Sequence, residues 1–263
     1  MRLGVDCSNY SGPLTAESAR CLRAAGFDFL IAGTQAASIT RQQVAAAVEA
    51  GFEVQAYVYL YWSRDTAAEV GRALEALDDL PVSRVWLDCE DAAAGLSPAE
   101  VVARIEAAAR AGGETPLGIY TGRWWWPPAT GDSTAFGHLP LWHAEYTGSI
   151  EAPPSADSFR PYGGWRRPAI WQFRGTTRVC GFSVDLNAEV TPLPRPRPPA
   201  DDQVELQLAR NKKRFELALA ADMYVFRNGP SDDSVELVKA LAGGGAEPFD
   251  PPCVIPVPPL PRR

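Results

Sequence analysis

Four acidic residues stand where strand-like apolar runs end. Asp6 follows Leu3-Gly4-Val5, Asp88 and Glu90 follow Val85-Trp86-Leu87, and Asp185 follows Phe182-Ser183-Val184. On an extended chain, Asp88 and Glu90 point to the same face, roughly 7 Å apart along the strand. Cys89 between them then faces the opposite layer, as does Cys7 beside Asp6. Four carboxylates at one rim repel one another when ionised, which raises a carboxyl pKa until the group can donate a proton at neutral pH. Asp91 reads as a loop acid. Paired carboxylates without a metal-binding motif or a nucleophilic Ser or Cys motif point to glycoside hydrolysis, with no metal or cofactor expected.

Aromatic residues gather at the same strand ends. Tyr57, Tyr59, Tyr61 and Trp62 lie at the third, Tyr120 at the fifth with Trp124-Trp125-Trp126 just beyond, Trp142 and Tyr146 flank the sixth, and Trp171 sits on the seventh. Such rings either stack on the apolar faces of sugars or pack a core. For the alternating strand residues both readings stand. Part of the Trp triplet, beside Pro127-Pro128, is expected to line a cleft or an interface.

The elements that must position these groups alternate along residues 2–190. Strands are predicted at 3–5, 27–32, 54–60, 84–87 and 117–120. Helices are predicted at 15–25, 40–50, about 65–80 and 97–110. Thr15 is a plausible N-cap, and Ser97-Pro98-Ala99-Glu100 carries a capping box with proline in the first turn. Four consecutive strand-then-helix units predict a parallel sheet with right-handed crossovers. After Thr121 the helices fade, and strands at 139–144, 169–173 and 182–186 are joined by loops rich in Gly, Pro and Trp. The expected fold is α/β, a flattened, incomplete (β/α)8-like barrel with helices weak in its C-terminal half.

The chain of 263 residues carries 24 prolines, of which 13 lie after residue 190. Residues 191–202 form a Pro-rich linker, 203–247 a small helix-plus-hairpin segment, and 248–263 a Pro-rich tail. Residues 1–190 hold 15 Lys/Arg against 22 Asp/Glu, and residues 191–263 hold 10 of each. The acidic body excludes the basic footprint that nucleic-acid binding needs, and neutral polymers are the more natural partners. No apolar run is long enough to span a membrane, and no secretory signal is visible at the N-terminus. The five cysteines lack CxxC spacing and are expected to be mostly reduced thiols or small core residues.

Taken in order, several segments resemble glycoside hydrolase family 25, the Chalaropsis-type lysozymes. They are Gly4-Val5-Asp6-Cys7-Ser8, Trp86-Leu87-Asp88-Cys89-Glu90, Gly118-Ile119-Tyr120-Thr121, Leu141-Trp142-His143-Ala144-Glu145-Tyr146, Ile170-Trp171-Gln172-Phe173 and Val184-Asp185-Leu186-Asn187. The resemblance covers almost all of residues 2–190. It implies that Glu90 protonates the glycosidic oxygen. Asp88 would stabilise the oxocarbenium-like transition state or orient the substrate acetamido group. Asp6 and Asp185 would hold and tune these acids, and Tyr120 and Trp171 would shape sugar subsites. Tyr57, Tyr59, Trp142 and Tyr146 complete the candidate substrate-binding set.

The implied substrate is bacterial peptidoglycan, cut at the β-1,4 bond between N-acetylmuramic acid and N-acetylglucosamine with retention. The expected setting is a phage lysin, cytoplasmic until released, or a virion component, with residues 191–263 available for virion or oligomer contact. The rival reading is a catalytically silent glycan-binding or structural module on the same barrel.

Overall fold

The structure, a computed structural model, describes residues 1–146 and 154–193. These lie within one compact unit, Met1–Pro196. The predicted linker beyond Leu193, the helix-plus-hairpin segment and the Pro-rich tail lie outside the described residues.

Eight strands alternate with five helices among the described residues. Their order is β1 (Arg2–Cys7), α1 (Ala16–Ala24), β2 (Phe27–Gly33), α2 (Ala37–Glu49), β3 (Glu53–Tyr59), α3 (Thr66–Leu77), β4 (Val82–Asp88), α4 (Pro98–Ala111), β5 (Leu117–Thr121), α5 (Trp126–Thr130), β6 (Leu141–Ala144), β7 (Ile170–Val179) and β8 (Phe182–Glu189). The caps are those the sequence predicts. Thr15 accepts from the Ser18 N–H, and Ser97 with Glu100 forms the reciprocal box that starts α4.

The strands close into a barrel in chain order. The expected α/β barrel is present, and its thinness is confined to the helical layer. The strand–helix repeat alone would make every strand parallel, but β8 runs antiparallel to both β7 and β1. Only Cys180 and Gly181 separate β7 from β8, and both have positive φ (54° and 76°). Two such residues make the tight reversal that matches strand twist, and no crossover helix fits in that space. Strand β7 therefore runs on through 174–179, where the sequence reading placed a loop.

Residue alternation sorts the side chains into two layers. Phe29, Ile31, Tyr57, Trp86, Tyr120, Trp142 and Ile170 fill the barrel interior, and their strand neighbours pack outward. Glycines make room for the interior rings. A Cβ on Gly4 would lie 2.2 Å from the Phe29 ring, and one on Gly118 would lie 2.3 Å from the Trp86 ring. The lower end is tied by Arg2, which bridges Glu53 and Glu189 at 2.9 and 3.0 Å.

Where helices are short, aromatic rings cover the outside of the sheet. Trp126 lies 4.8 Å from Trp165 and 5.7 Å from Phe136, and His143 lies 4.8 Å from Trp171. Their indole N–H groups all donate to backbone carbonyls, of Ser133 for Trp126, Leu139 for Trp165 and Glu145 for Trp171. This narrows the reading of the Trp triplet, since Trp125 and Trp126 are buried and Trp124 is its one exposed member.

The cysteine reading is also corrected. Cys21 on α1 and Cys180 in the β7–β8 turn form a disulfide with Cα atoms 5.9 Å apart, while Cys7 and Cys89 are buried free thiols. A bridge across 159 residues of sequence has no local signature. It restricts the unfolded chain strongly, so the double variant Cys21→Ser/Cys180→Ser is expected to lose about 2–5 kcal/mol of stability. Calorimetric melting checks this, and an unchanged melting temperature would show that the bridge contributes nothing.

Candidate active site

The acids meet at the barrel's upper rim through strand register. Asp6 on β1 is directly opposite Asp185 on β8, and Asp88 on β4 is in register with Tyr59 on β3 and Tyr120 on β5. Glu90 follows two residues beyond Asp88, on the same side. Together with Tyr57, Tyr120 and Trp142 these four carboxyls line one cavity of about 280 Å³.

A polar scaffold underneath holds the acids, and its hydrogen-bond directions follow from donor chemistry. The Trp142 indole N–H can only donate, and it donates to Asn187 Oδ1 at 2.7 Å. That turns the Asn187 amide so that Nδ2 donates to Asp6 Oδ2, also at 2.7 Å. The Tyr120 hydroxyl donates to Gln172 Oε1 at 3.0 Å. Gln172 Nε2 then donates to Asp6 Oδ2 at 2.9 Å and to Asp185 Oδ2 at 3.3 Å. The Thr176 backbone N–H caps Asp185 Oδ1 at 2.6 Å.

All four carboxyls are pushed above their ordinary range, chiefly because burial penalises the charged form. Asp6 rises to about 7, with Asp185 adding repulsion while the Asn187 and Gln172 amides oppose it. Asp185 rises less freely, since the Thr176 N–H favours its ionised form. For Glu90, burial and the charges of Asp185 and Asp91 outweigh the nearby Tyr120 hydroxyl. Asp88 is raised well above the usual carboxylate range by burial, then by Glu90, Asp6 and Asp91. Its Oδ1 is buried without a hydrogen-bond partner among the described residues. A buried acceptor left unpaired is destabilising, and at a cavity wall a ligand donor can satisfy it.

The aromatic candidates divide into two groups. Tyr57, Tyr120 and Trp142 face the cavity, with the Tyr120 and Trp142 rings 4.4 Å apart. Tyr59 stands at the rim and its hydroxyl reaches Asp91 Oδ1 at 3.4 Å. Tyr146 is 61% exposed, and burial together with the charges of Asp185, Asp6 and Glu90 raises its phenol to about 12. Trp171 is a correction. Its strand neighbours Ile170 and Gln172 point inward, so Trp171 points outward into the aromatic cover and does not reach the cavity. Asp91 is more than a loop acid, because its backbone carbonyl accepts from both the Trp62 and Trp125 indoles, at 2.9 and 2.8 Å.

Sequence reasoning gave no role to Gln172, Tyr10 and Thr176, which line the cavity, or to Asn187, which holds Asp6 from beneath. For the two amides a signal existed. A Gln and an Asn inside otherwise apolar strands, buried at 2% and 0%, must be satisfied by buried partners. Tyr10 and Thr176 lie in a turn and a bulged strand with no such signature.

A second cavity of about 480 Å³ adjoins the first, sharing Tyr10 and bordered by Tyr59, Tyr61, Arg64 and Arg72. Among the described residues no group of three or more His, Cys, Asp or Glu side chains is placed to hold a metal ion. No helix among them is long and apolar enough to cross a membrane.

Comparison with known proteins agrees with this architecture. Residues 2–173 match the family model described as Lysozyme-like protein 1. The probable GH family 25 lysozyme 2 of Dictyostelium discoideum is 34% identical over 197 residues, covering 70% of this chain and 89% of that protein. Lysozyme-like protein 5 of Caenorhabditis elegans is 30% identical over 202 residues, covering 71% and 90%. A solved glycosyl hydrolase 25 of Streptococcus pneumoniae shares the fold, with a TM-score of 0.53 at 18% identity over 73% of this chain and 88% of that one. A family model spanning the barrel as far as β7, together with a relative matched over nearly its whole length, places this chain in glycoside hydrolase family 25, among the lysozymes.

Proposed function

We propose that this glycoside hydrolase cleaves peptidoglycan at the β-1,4 bond between N-acetylmuramic acid and N-acetylglucosamine, with retention at the anomeric carbon. The observation that carries the reading is the convergence of Asp6, Asp88, Glu90 and Asp185 on one cavity, with Asp88 Oδ1 lacking a partner among the described residues. Glu90, half-buried and with its carboxyl raised chiefly by burial, is the group that donates a proton to the glycosidic oxygen as the bond to carbon 1 breaks. Positive charge then develops on the sugar ring.

For Asp88 the unpartnered oxygen favours the orienting role. The 2-acetamido N–H of the sugar would donate to Asp88 Oδ1, supplying the hydrogen bond the buried carboxyl lacks and drawing it toward the ionised form. The acetamido carbonyl oxygen attacks carbon 1 from the face opposite the leaving group. Glu90, now a carboxylate, takes a proton from water as that water opens the ring so formed. Two displacements give net retention. Asp6 and Asp185 touch the amide scaffold and act by position and charge.

The Cys21–Cys180 bridge supports action outside a reducing cytoplasm.

Mass spectrometry of purified peptidoglycan digested by the protein is expected to show new reducing ends on N-acetylmuramic acid. Glu90→Gln is expected to lower the rate by about 10²–10⁴-fold with folding intact, the range for losing a general acid. Unchanged release by this variant would remove Glu90 from the acid role. Binding without any release by the wild type would favour the silent module instead.

A second expectation concerns pH. A carboxyl whose folded pKa is raised contributes stability that is full in acid and is lost as pH rises through the folded value. For Asp6 that window runs from about 4 to about 7, and Asp88 shifts in the same direction. Asp88→Asn is therefore expected to be inactive yet to melt above the wild type, with the gap widening from pH 4 to pH 8. A gap that narrows over that range would mean the buried acid is stabilised in its ionised form.

A further inference from the structure

The cavity beside the acids has a charge character opposite to theirs. Arg64 and Arg72 border it against the single carboxylate of Glu69. Glu69 is already engaged, its Oε2 accepting from the Tyr61 N–H at 3.1 Å and its Oε1 lying 3.5 Å from Arg64. The Arg64 guanidinium lies 4.1 Å from the centre of the Tyr61 ring, which fixes it as a flat platform. Arg72, exposed on α3, makes no hydrogen bond or ion pair among the described residues. The cavity therefore presents one engaged and one unengaged guanidinium in a body whose net charge is −7.

Its position relative to the acids is set by β3. Tyr10 lines both cavities, and Tyr59 borders the second while its phenol feels the charges of Asp91, Asp88 and Glu90. On the reading proposed above, the acetamido group on carbon 2 of the reacting sugar lies at Asp88. A branch on carbon 3 then leaves beside Asp88, toward β3 or toward β5. On the β5 side Tyr120 lines the acid cavity and is hydrogen-bonded to Gln172. The β3 side, past Tyr59, opens into the arginine-bordered cavity.

We propose that this second cavity binds the carboxylate-bearing peptide stem attached to the sugar being cut, with Arg72 as the principal anion contact and Arg64 supporting it. The inference rests on the muramidase reading. A planar guanidinium suits a carboxylate because it can donate two parallel hydrogen bonds. The contact also offsets the repulsion that four acids would exert on an anionic branch. Arg72 would be a specificity residue, remote from the bond that breaks.

The test measures binding, so that it does not depend on cleavage. A disaccharide of N-acetylglucosamine and N-acetylmuramic acid carrying an alanyl-glutamyl stem is titrated into the Glu90→Gln protein by calorimetry. The same compound with both stem carboxylates converted to amides is the comparison. The acid form is expected to bind about tenfold more tightly than the amide form, as one charge-assisted hydrogen bond would give. The preference should weaken as salt is raised.

Adding Arg72→Ala should abolish the preference by weakening the acid form far more than the amide form, and Arg72→Lys should restore part of it. Equal affinity for the two forms, or a preference that survives Arg72→Ala, would overturn the proposal. A charge preference that depends on Arg72 in a protein whose wild type releases no reducing ends would uphold the cavity and reject the hydrolytic reading.

Discussion

Everything at the upper rim depends on keeping four carboxyls together out of water. Isolated charges of one sign in such a place repel strongly, and most proteins avoid the arrangement. Here two carboxamides make it tolerable. Asn187 is oriented from behind by the Trp142 indole, which can only donate, and Gln172 is met by the Tyr120 hydroxyl, which donates to its Oε1. The N–H groups of the two amides then face Asp6 and Asp185. The interior rings thus do two things at once, filling the barrel and bracing the two amides under the acids.

The same logic explains the asymmetry among the carboxyls. Asp6 and Asp185 receive donors from the scaffold, whereas Asp88, at 4% exposure, has one oxygen with none. Glu90 is less buried and sits on the cavity side. A single cluster therefore holds two acids fixed by the protein, one left incomplete, and one open to the cavity. Division of labour between carboxyls of similar intrinsic strength comes from what each is allowed to hydrogen-bond.

Much of this was legible in the sequence. The first five strands and four helices fall within a few residues of their predicted places, because apolar alternation and caps such as Ser97-Pro98-Ala99-Glu100 are local signals. The four acids were legible as strand-end residues. What escaped notice is non-local or depends on parity. The disulfide joins Cys21 to Cys180, and the antiparallel turn of β8 shows only as a two-residue Cys180-Gly181 link. Trp171 looked like a groove residue until the inward facing of Gln172 fixed its strand's parity. An aromatic's type says that it will be covered, and its register says by what.

The eighth strand has a consequence for assembly. Parallel strands β1 to β7 could in principle accumulate one unit at a time as the chain lengthens, but their sheet keeps two open edges until β8 arrives. Strand β8 brings Asp185 and Asn187 and seats them against β1, the earliest segment made. The longest-range contact in the barrel is thus also the one that completes the acid site, and pairing over such separations is slow. A chain made only through β7 has Asp6, Asp88, Glu90 and Gln172 but lacks Asp185 and Asn187, the second amide that holds Asp6. The acid site is complete only once the last strand of the barrel has paired.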